Sequence, residues 1–231
     1  MIRLVNACFS YRSDEPVLHE VNLEIGTGLS LLLGPNGCGK STLLKLAAGI
    51  ERPDRGTVEI NGHDMWRDEI AARRELAYVP EQPDLTPYAT IQDILYLVCR
   101  LRSISPDKAG EVLEKVGLSA VAKRSIRELS MGQRRRAVLA AAWIGSPRII
   151  LLDEPLEAMD RAMREDLLVW INDLLASQAS VVIATHEIEP FLMKAARTIT
   201  VRSAQCQTFE PLPDTQAKRL EVLESLSRGK G

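Results

Sequence analysis

The stretch Leu29-Ser30-Leu31-Leu32-Leu33-Gly34-Pro35-Asn36-Gly37-Cys38-Gly39-Lys40-Ser41-Thr42 decides how this chain reads. Leu29 to Leu33 is a continuous apolar run, as expected of a strand buried on both faces of a parallel sheet. Gly34 to Gly39 is a glycine-rich turn, and Lys40 to Gly49 has the pattern of a helix closed by glycine. Such a strand, loop and helix present backbone N–H groups and a positive helix end to an anion.

The eight residues Gly34 to Ser41 fit G-x-x-x-x-G-K-[ST], the P-loop. In that motif the backbone of Gly34, Pro35, Asn36, Gly37, Cys38 and Gly39 curves around phosphate oxygens. Lys40 reaches the β- and γ-phosphates, Ser41 offers its hydroxyl to Mg²⁺, and Thr42 follows in the first helical turn. A second element is needed on the metal side. Ile149-Ile150-Leu151-Leu152-Asp153-Glu154 supplies it, a buried strand ending in two carboxylates where ligands collect in open α/β sheets. Asp153 is placed to hold Mg²⁺ through water, and Glu154 to polarise an attacking water as general base.

Outward from the loop, Ile2 to Phe9 and Val17 to Ile25 alternate apolar and polar residues around Ser13-Asp14-Glu15-Pro16, which predicts an antiparallel hairpin. Thr57 to Ile60 and Leu76 to Val79 read as strands, with Asn61-Gly62 as a turn. Residues 84–142 change character. Apolar positions at Ile91, Ile94, Leu95, Val98 and Leu101, then Val112, Leu113 and Val116, mark helices and predict a helical subdomain inserted in the core. Ile149 to Leu152 and Val181 to Ala184 resume the core as buried strands around a helix from about 162 to 175. The alternation predicts an α/β fold, a parallel sheet with crossover helices. After Ser203 the chain turns polar and reads as a C-terminal extension, 203–231, with a short amphipathic helix from Thr215 to Leu226. One domain, 1–231, is expected.

Bulk composition narrows the function classes. With 231 residues, 45% hydrophobic and 26% charged, the chain can bury a sizeable core and is not disordered. A formal net charge of −2 offers no bulk attraction to nucleic acid or anionic lipid. The longest apolar runs fall far short of the ~20 residues that span a bilayer. The N-terminus lacks the sections of a signal peptide, so a cytoplasmic protein is expected. Cys8, Cys38, Cys99 and Cys206 are scattered, which suggests neither a zinc site nor a disulfide framework.

Between the loop and the carboxylates lies Leu129-Ser130-Met131-Gly132-Gln133, and here the chain resembles the ABC ATPases, whose signature reads LSGGQ. The P-loop, this signature, the Walker-B strand, the D-loop-like Glu157-Ala158-Met159-Asp160 and Thr185-His186 occur in the family's order across residues 1 to 202. The resemblance implies a P-loop NTPase (ABC ATPase) core with an N-terminal antiparallel β subdomain and an inserted α-helical subdomain. It implies ATP and Mg²⁺ as cofactors, with Tyr11 stacking on adenine. Ser130, Gly132 and Gln133 would meet the nucleotide of a second nucleotide-binding domain, and His186 the γ-phosphate. Glu154, His186 and Lys40 are the catalytic candidates.

Met131 stands where the signature has its first glycine, Glu157 stands where the D-loop commonly has serine, and Glu81 stands where the Q-loop has glutamine. Either Glu81 or the following Gln82 is the metal-side candidate there. The stretch Pro80 to Pro87 followed by Ile91-Gln92-Asp93-Ile94-Leu95 resembles ATPases of ABC-2 type exporters. The expected role is therefore the ATP-hydrolysing subunit of an exporter, paired as a homodimer and peripheral to the membrane through a permease docked near Glu81 to Leu101. The alternatives are an importer ATPase or a soluble ABC ATPase acting on nucleic acid or ribosomes.

Overall fold

The computed structural model describes residues 1–12, 15–82, 85–157 and 159–228. The expected hairpin forms from β1 (Ile2–Arg12) and β2 (Glu15–Ile25), paired antiparallel with Leu4 opposite Leu23. Its predicted turn at Ser13-Asp14 lies outside the described residues. β3 (Gly28–Leu33) leads into α1 (Lys40–Ala47), and β4 (Arg55–Ile60) turns through Asn61-Gly62 into the two-residue β5 (His63–Asp64). Both turn residues have positive φ, 51° and 83°, the geometry that Asn-Gly accommodates in tight hairpins.

α2 (Glu69–Arg73) and β6 (Leu76–Val79) follow. Three helices then intervene, α3 (Ile91–Leu101), α4 (Asp107–Lys115) and α5 (Met131–Trp143), before β7 (Ile149–Asp153). α6 (Arg161–Ala176), β8 (Ser180–Ala184), β9 (Ala195–Arg202), β10 (Gln205–Phe209) and α7 (Gln216–Arg228) complete the chain.

Among the described residues the strands make two sheets, a four-stranded one in the order β2-β1-β4-β5 and a six-stranded one in the order β10-β9-β3-β8-β7-β6. The larger sheet is parallel from β9 to β6, with β10 added antiparallel at its edge. It is buried on both faces, and the period of two divides its side chains between two cores. Leu31, Leu33, Ile150, Leu152, Val181 and Ile183 point to the core shared with α3 to α7. Leu32, Ile149, Leu151, Val182 and Ala184 point to the core shared with α1 and the antiparallel sheet. Each fully buried Leu or Ile contributes ~1.5–3 kcal/mol, so the sheet is a rigid base for the loops at its C-terminal edge.

The segment read as a polar extension is part of this base. Ser203 and Ala204 turn with positive φ, β10 pairs with β9, and α7 buries Leu223 and Leu226. The sequence Gln205-Cys206-Gln207-Thr208-Phe209 looks polar because an edge strand hides little of itself.

Candidate functional site

The phosphate loop takes its shape from glycine. Gly34 has φ 148°, and a Cβ there would lie 2.8 Å from both the carbonyl oxygen of Val201 and Cys38 Sγ. A side chain at Gly34 would therefore force the loop off the sheet. Gly39, with φ 110°, stands at the N-cap of α1, and its carbonyl receives Leu43 N–H at 2.9 Å. Lys40 is buried, only 8% exposed, and Nζ donates to the carbonyls of Gly34 at 2.9 Å and Pro35 at 3.2 Å. The ammonium is thus held against the loop's own backbone, at the N-terminal turn of α1.

This loop forms one wall of a cavity of about 700 Å³. Tyr11, Lys40, Ser41, Glu81, Asp153, Glu154 and His186 line it, with Asn36, Gly37, Gly39 and Thr42 from the loop and helix. The Tyr11 hydroxyl lies 3.4 Å from Thr42 Oγ1 and the ring meets Phe9 edge-on at 4.9 Å. The residue nevertheless remains 56% exposed. That exposure leaves ring surface open to a further aromatic contact. Cys38 is not among the residues that line the cavity, since its Sγ packs against Gly34.

The opposite wall is acidic. β7 carries Asp153 to the sheet edge at 2% exposure, and burial raises its carboxyl above the usual range against the opposing pull of the Ser41 hydroxyl bonded to it. Tyr78 is half-buried with its hydroxyl buried beside Asp153, and burial, then that carboxylate, hold its phenol well above the ordinary value. Ser41, Asp153 and Glu81 supply hydroxyl and carboxylate oxygens, the hard donors that suit Mg²⁺.

Glu154, one residue beyond the strand, has φ 44°, a left-handed conformation unusual outside glycine. Its N–H donates to Ala184 at 2.9 Å, and its Oε2 receives His186 N–H at 3.3 Å. His186 Nε2 stands 3.4 Å from Oε1, which is buried and has no hydrogen-bond partner among the described residues. Burial raises the Glu154 carboxyl, opposed chiefly by His186. A carboxylate with that environment, in the lining of the cavity that the phosphate loop walls, has the properties of a base for water. The His186 backbone is set by its neighbours, because Glu187 makes a two-point pair with Arg164 at 2.7 and 3.0 Å and donates its N–H to Thr185 Oγ1 at 3.0 Å.

Besides Gly34, Pro35 and Cys38 of the loop, two groups of predicted residues do not join this cavity. Gln82 lines the neighbouring groove, whereas Glu81 borders both. Ser130, Gly132 and Gln133 line a separate depression of about 320 Å³ with Asp160. Ser130 caps α5 and exchanges hydrogen bonds with Gln133, receiving its N–H on Oγ at 3.2 Å and donating its own N–H to Oε1 at 3.0 Å. A Cβ at Gly132 would meet nothing within 4 Å among the described residues. The signature thus offers an open helix N-terminus, but to a different surface. Ala158 of the D-loop and Pro83-Asp84 of the Q-loop lie outside the described residues.

One residue of the site was not singled out from sequence. Arg135 of α5 is buried at 4% exposure and donates to the backbone carbonyls of both Glu81 and Glu154. Within Arg134-Arg135-Arg136 it reads as part of a solvated basic run, yet its spacing from Val138 and Leu139 puts it on the buried face of the helix.

Comparison with known proteins accords with this geometry. A family model described as ABC transporter matches residues 18–157. The taurine import ATP-binding protein TauB of Mesorhizobium japonicum is 36% identical over 205 residues, covering 85% of this chain and 78% of the relative. The sulfate/thiosulfate import ATP-binding protein CysA of the same organism is 36% identical over 213 residues, 87% of this chain but 61% of the relative's length. These names are of import proteins and not of the exporters that Pro80 to Leu95 suggested, and identity across some 200 residues outweighs a short loop. A solved dimeric bacterial ABC transporter cassette superposes with a TM-score of 0.79 at 27% identity, covering 90% of this chain and 98% of that one. The same cassette in a post-hydrolysis state with ADP and Pi superposes with a TM-score of 0.78. The chain belongs to the ABC transporter family, as one of its ATP-binding, ATP-hydrolysing subunits.

Proposed function

We propose that two copies of this chain enclose two ATP molecules head to tail and drive a separate membrane-embedded permease of the import type. The carrying observation is the separation of the signature from the P-loop. Ser130 and Gly132 present an open helix N-terminus on one surface while Lys40, Asp153 and Glu154 share a cavity on another. A second copy supplies the missing half of each site. The dimeric cassette to which the chain is similar supports that pairing.

In this reading Tyr11 stacks on adenine, the loop from Gly34 to Gly39 holds the phosphates with backbone N–H groups, and Lys40 leaves its loop carbonyls for the β- and γ-phosphates. Ser41 and Asp153, with Glu81 in the Q-loop position, would hold Mg²⁺, which supplies neutralisation of phosphate charge when bound. Glu154 Oε1 accepts a proton from the attacking water. His186 faces the γ-phosphate and, through its N–H, keeps Glu154 Oε2 occupied so that Oε1 is the basic oxygen.

No helix among the described residues is long and apolar enough to cross a membrane. A groove of about 940 Å³ beside Glu81 and Gln82, bordered by Leu85, Ile94 and Val98, is a concave apolar seat for a helix of the permease. The exposed Leu97 and Leu101 extend from the same helix, α3. The relatives' import names favour uptake over export. Vesicles containing the chain with its copurified permease separate the directions. Import predicts ATP-driven accumulation dependent on substrate presented opposite the ATPase, whereas expulsion of substrate from the ATPase side would establish export.

A further inference from the structure

We infer that Arg135 is a positioning residue of the hydrolytic centre, its buried guanidinium holding the left-handed turn at Glu154 and joining that turn to Glu81. The inference rests on the proposed role of Glu154 as the base. Glu154 adopts φ 44° although it bears a side chain, a strained conformation that persists only where its surroundings fix it. Its N–H is fixed by Ala184 and its Oε2 by the N–H of His186. Its carbonyl, which also receives Glu157 N–H at 3.2 Å, takes the second bond from the Arg135 guanidinium.

The same guanidinium donates through its other terminal nitrogen to the Glu81 carbonyl. One planar, two-ended donor therefore bridges the two segments that flank the cavity, from an anchor on α5. α5 begins at Met131, capped by Ser130, so the signature and the base of the same chain are mechanically joined through the five helical residues from Met131 to Arg135. Charge adds to geometry. Glu157, Glu81, Asp153 and Glu154 all act on Arg135, whose own ionisation is disfavoured by burial, so the guanidinium is the counter-charge beneath a crowd of carboxylates. Arg135 does not line the phosphate cavity, so it acts through Glu81 and Glu154 and not on the nucleotide.

The test compares Arg135→Met, which keeps the stem and removes every donor, with Arg135→Lys, which keeps the charge but has no planar fork. Turnover of the full chain with Mg-ATP is measured well below each variant's Tm, together with KM and binding of a fluorescent ATP analogue. A misplacement near 1 Å costs up to about a hundredfold in rate, so Arg135→Met is expected to lose at least about tenfold in kcat while KM changes less than about threefold. Arg135→Lys is expected to fall between Met and wild type. A merely structural arginine would lower Tm and leave kcat per folded molecule unchanged, and that result in either variant overturns the inference. If Arg135→Met fails to fold, wild-type kcat in Arg135→Lys is the overturning result and a loss of kcat at constant KM the supporting one. Glu154→Gln runs alongside. Full turnover there removes the base itself, whereas a dead Glu154→Gln beside a fully active Arg135 variant removes only the present inference.

Discussion

Replacing Lys40 by methionine separates the two jobs of a buried ammonium. In the free chain Nζ donates to Gly34 and Pro35 carbonyls at 2.9 and 3.2 Å while only 8% of the residue is exposed. Its removal leaves two carbonyls short of a donor, at ~1–3 kcal/mol each, and relieves the desolvation of a charge, which is several kcal/mol in the other direction. The free protein should therefore keep its Tm within a few degrees. With ATP the balance is one-sided, because Lys40 then serves phosphate. Losing a charge-assisted hydrogen bond of ~1.5–3 kcal/mol weakens binding about 10- to 150-fold. At an ATP concentration near a hundred times the wild-type Kd, ligand stabilisation is ~2.7 kcal/mol, and it drops to ~0.3–1.4 kcal/mol in the variant. For a chain of this size ~1 kcal/mol moves Tm by about 2–4 °C, so a wild-type shift of about 5–11 °C shrinks to about 1–6 °C. Differential scanning fluorimetry with and without Mg-ATP reads both numbers. An undiminished ATP-induced shift in Lys40→Met would refute the assignment of this lysine to the phosphates.

Tyr11→Ala should raise the Kd for ATP by ~5- to 150-fold, the range of one base–aromatic stack of ~1–3 kcal/mol, while Tyr11→Trp keeps affinity near wild type, as read by fluorescence titration. Ser130→Phe should block ATP-dependent pairing, seen as loss of the dimer peak in size-exclusion chromatography with Glu154→Gln as background, while a single copy still binds ATP. The Cys206 thiol is pushed up to about 12, mainly by burial and then by Cys38. Burial favours the neutral thiol, so at pH 8 its alkylation by iodoacetamide in the folded chain should be slower by roughly a thousandfold than in urea, with the protection fading as pH rises towards 12.

The phosphate half of the site was legible because its chemistry is carried by residue type at fixed spacing. Gly34, Gly39, Lys40 and Ser41 are required by backbone curvature and charge whatever surrounds them, and Asp153 follows an apolar run that only a buried strand explains. Arg135 was hidden for the opposite reason. Three successive arginines look alike in sequence, and only the direction of α5 separates Arg135, which is buried, from Arg134 and Arg136 beside it. Arg136 instead pairs with Asp160, the N-cap of α6. The left-handed backbone at Glu154 had no residue signal either, since glycine or asparagine would ordinarily mark it. β10 was missed because pairing at a sheet edge depends on backbone hydrogen bonds to β9 that leave no apolar pattern.

The central claim is that Glu154 activates the water that cleaves ATP. Glu154→Gln keeps the side chain's size and removes its basicity, so single-turnover and steady-state hydrolysis measured with radiolabelled ATP test it most directly. The account predicts ATP affinity near wild type, an accumulating ATP-bound dimer, and a hydrolysis rate lower by about 10²–10⁴-fold, the usual share of a general base. Hydrolysis at the wild-type rate in that variant would contradict it.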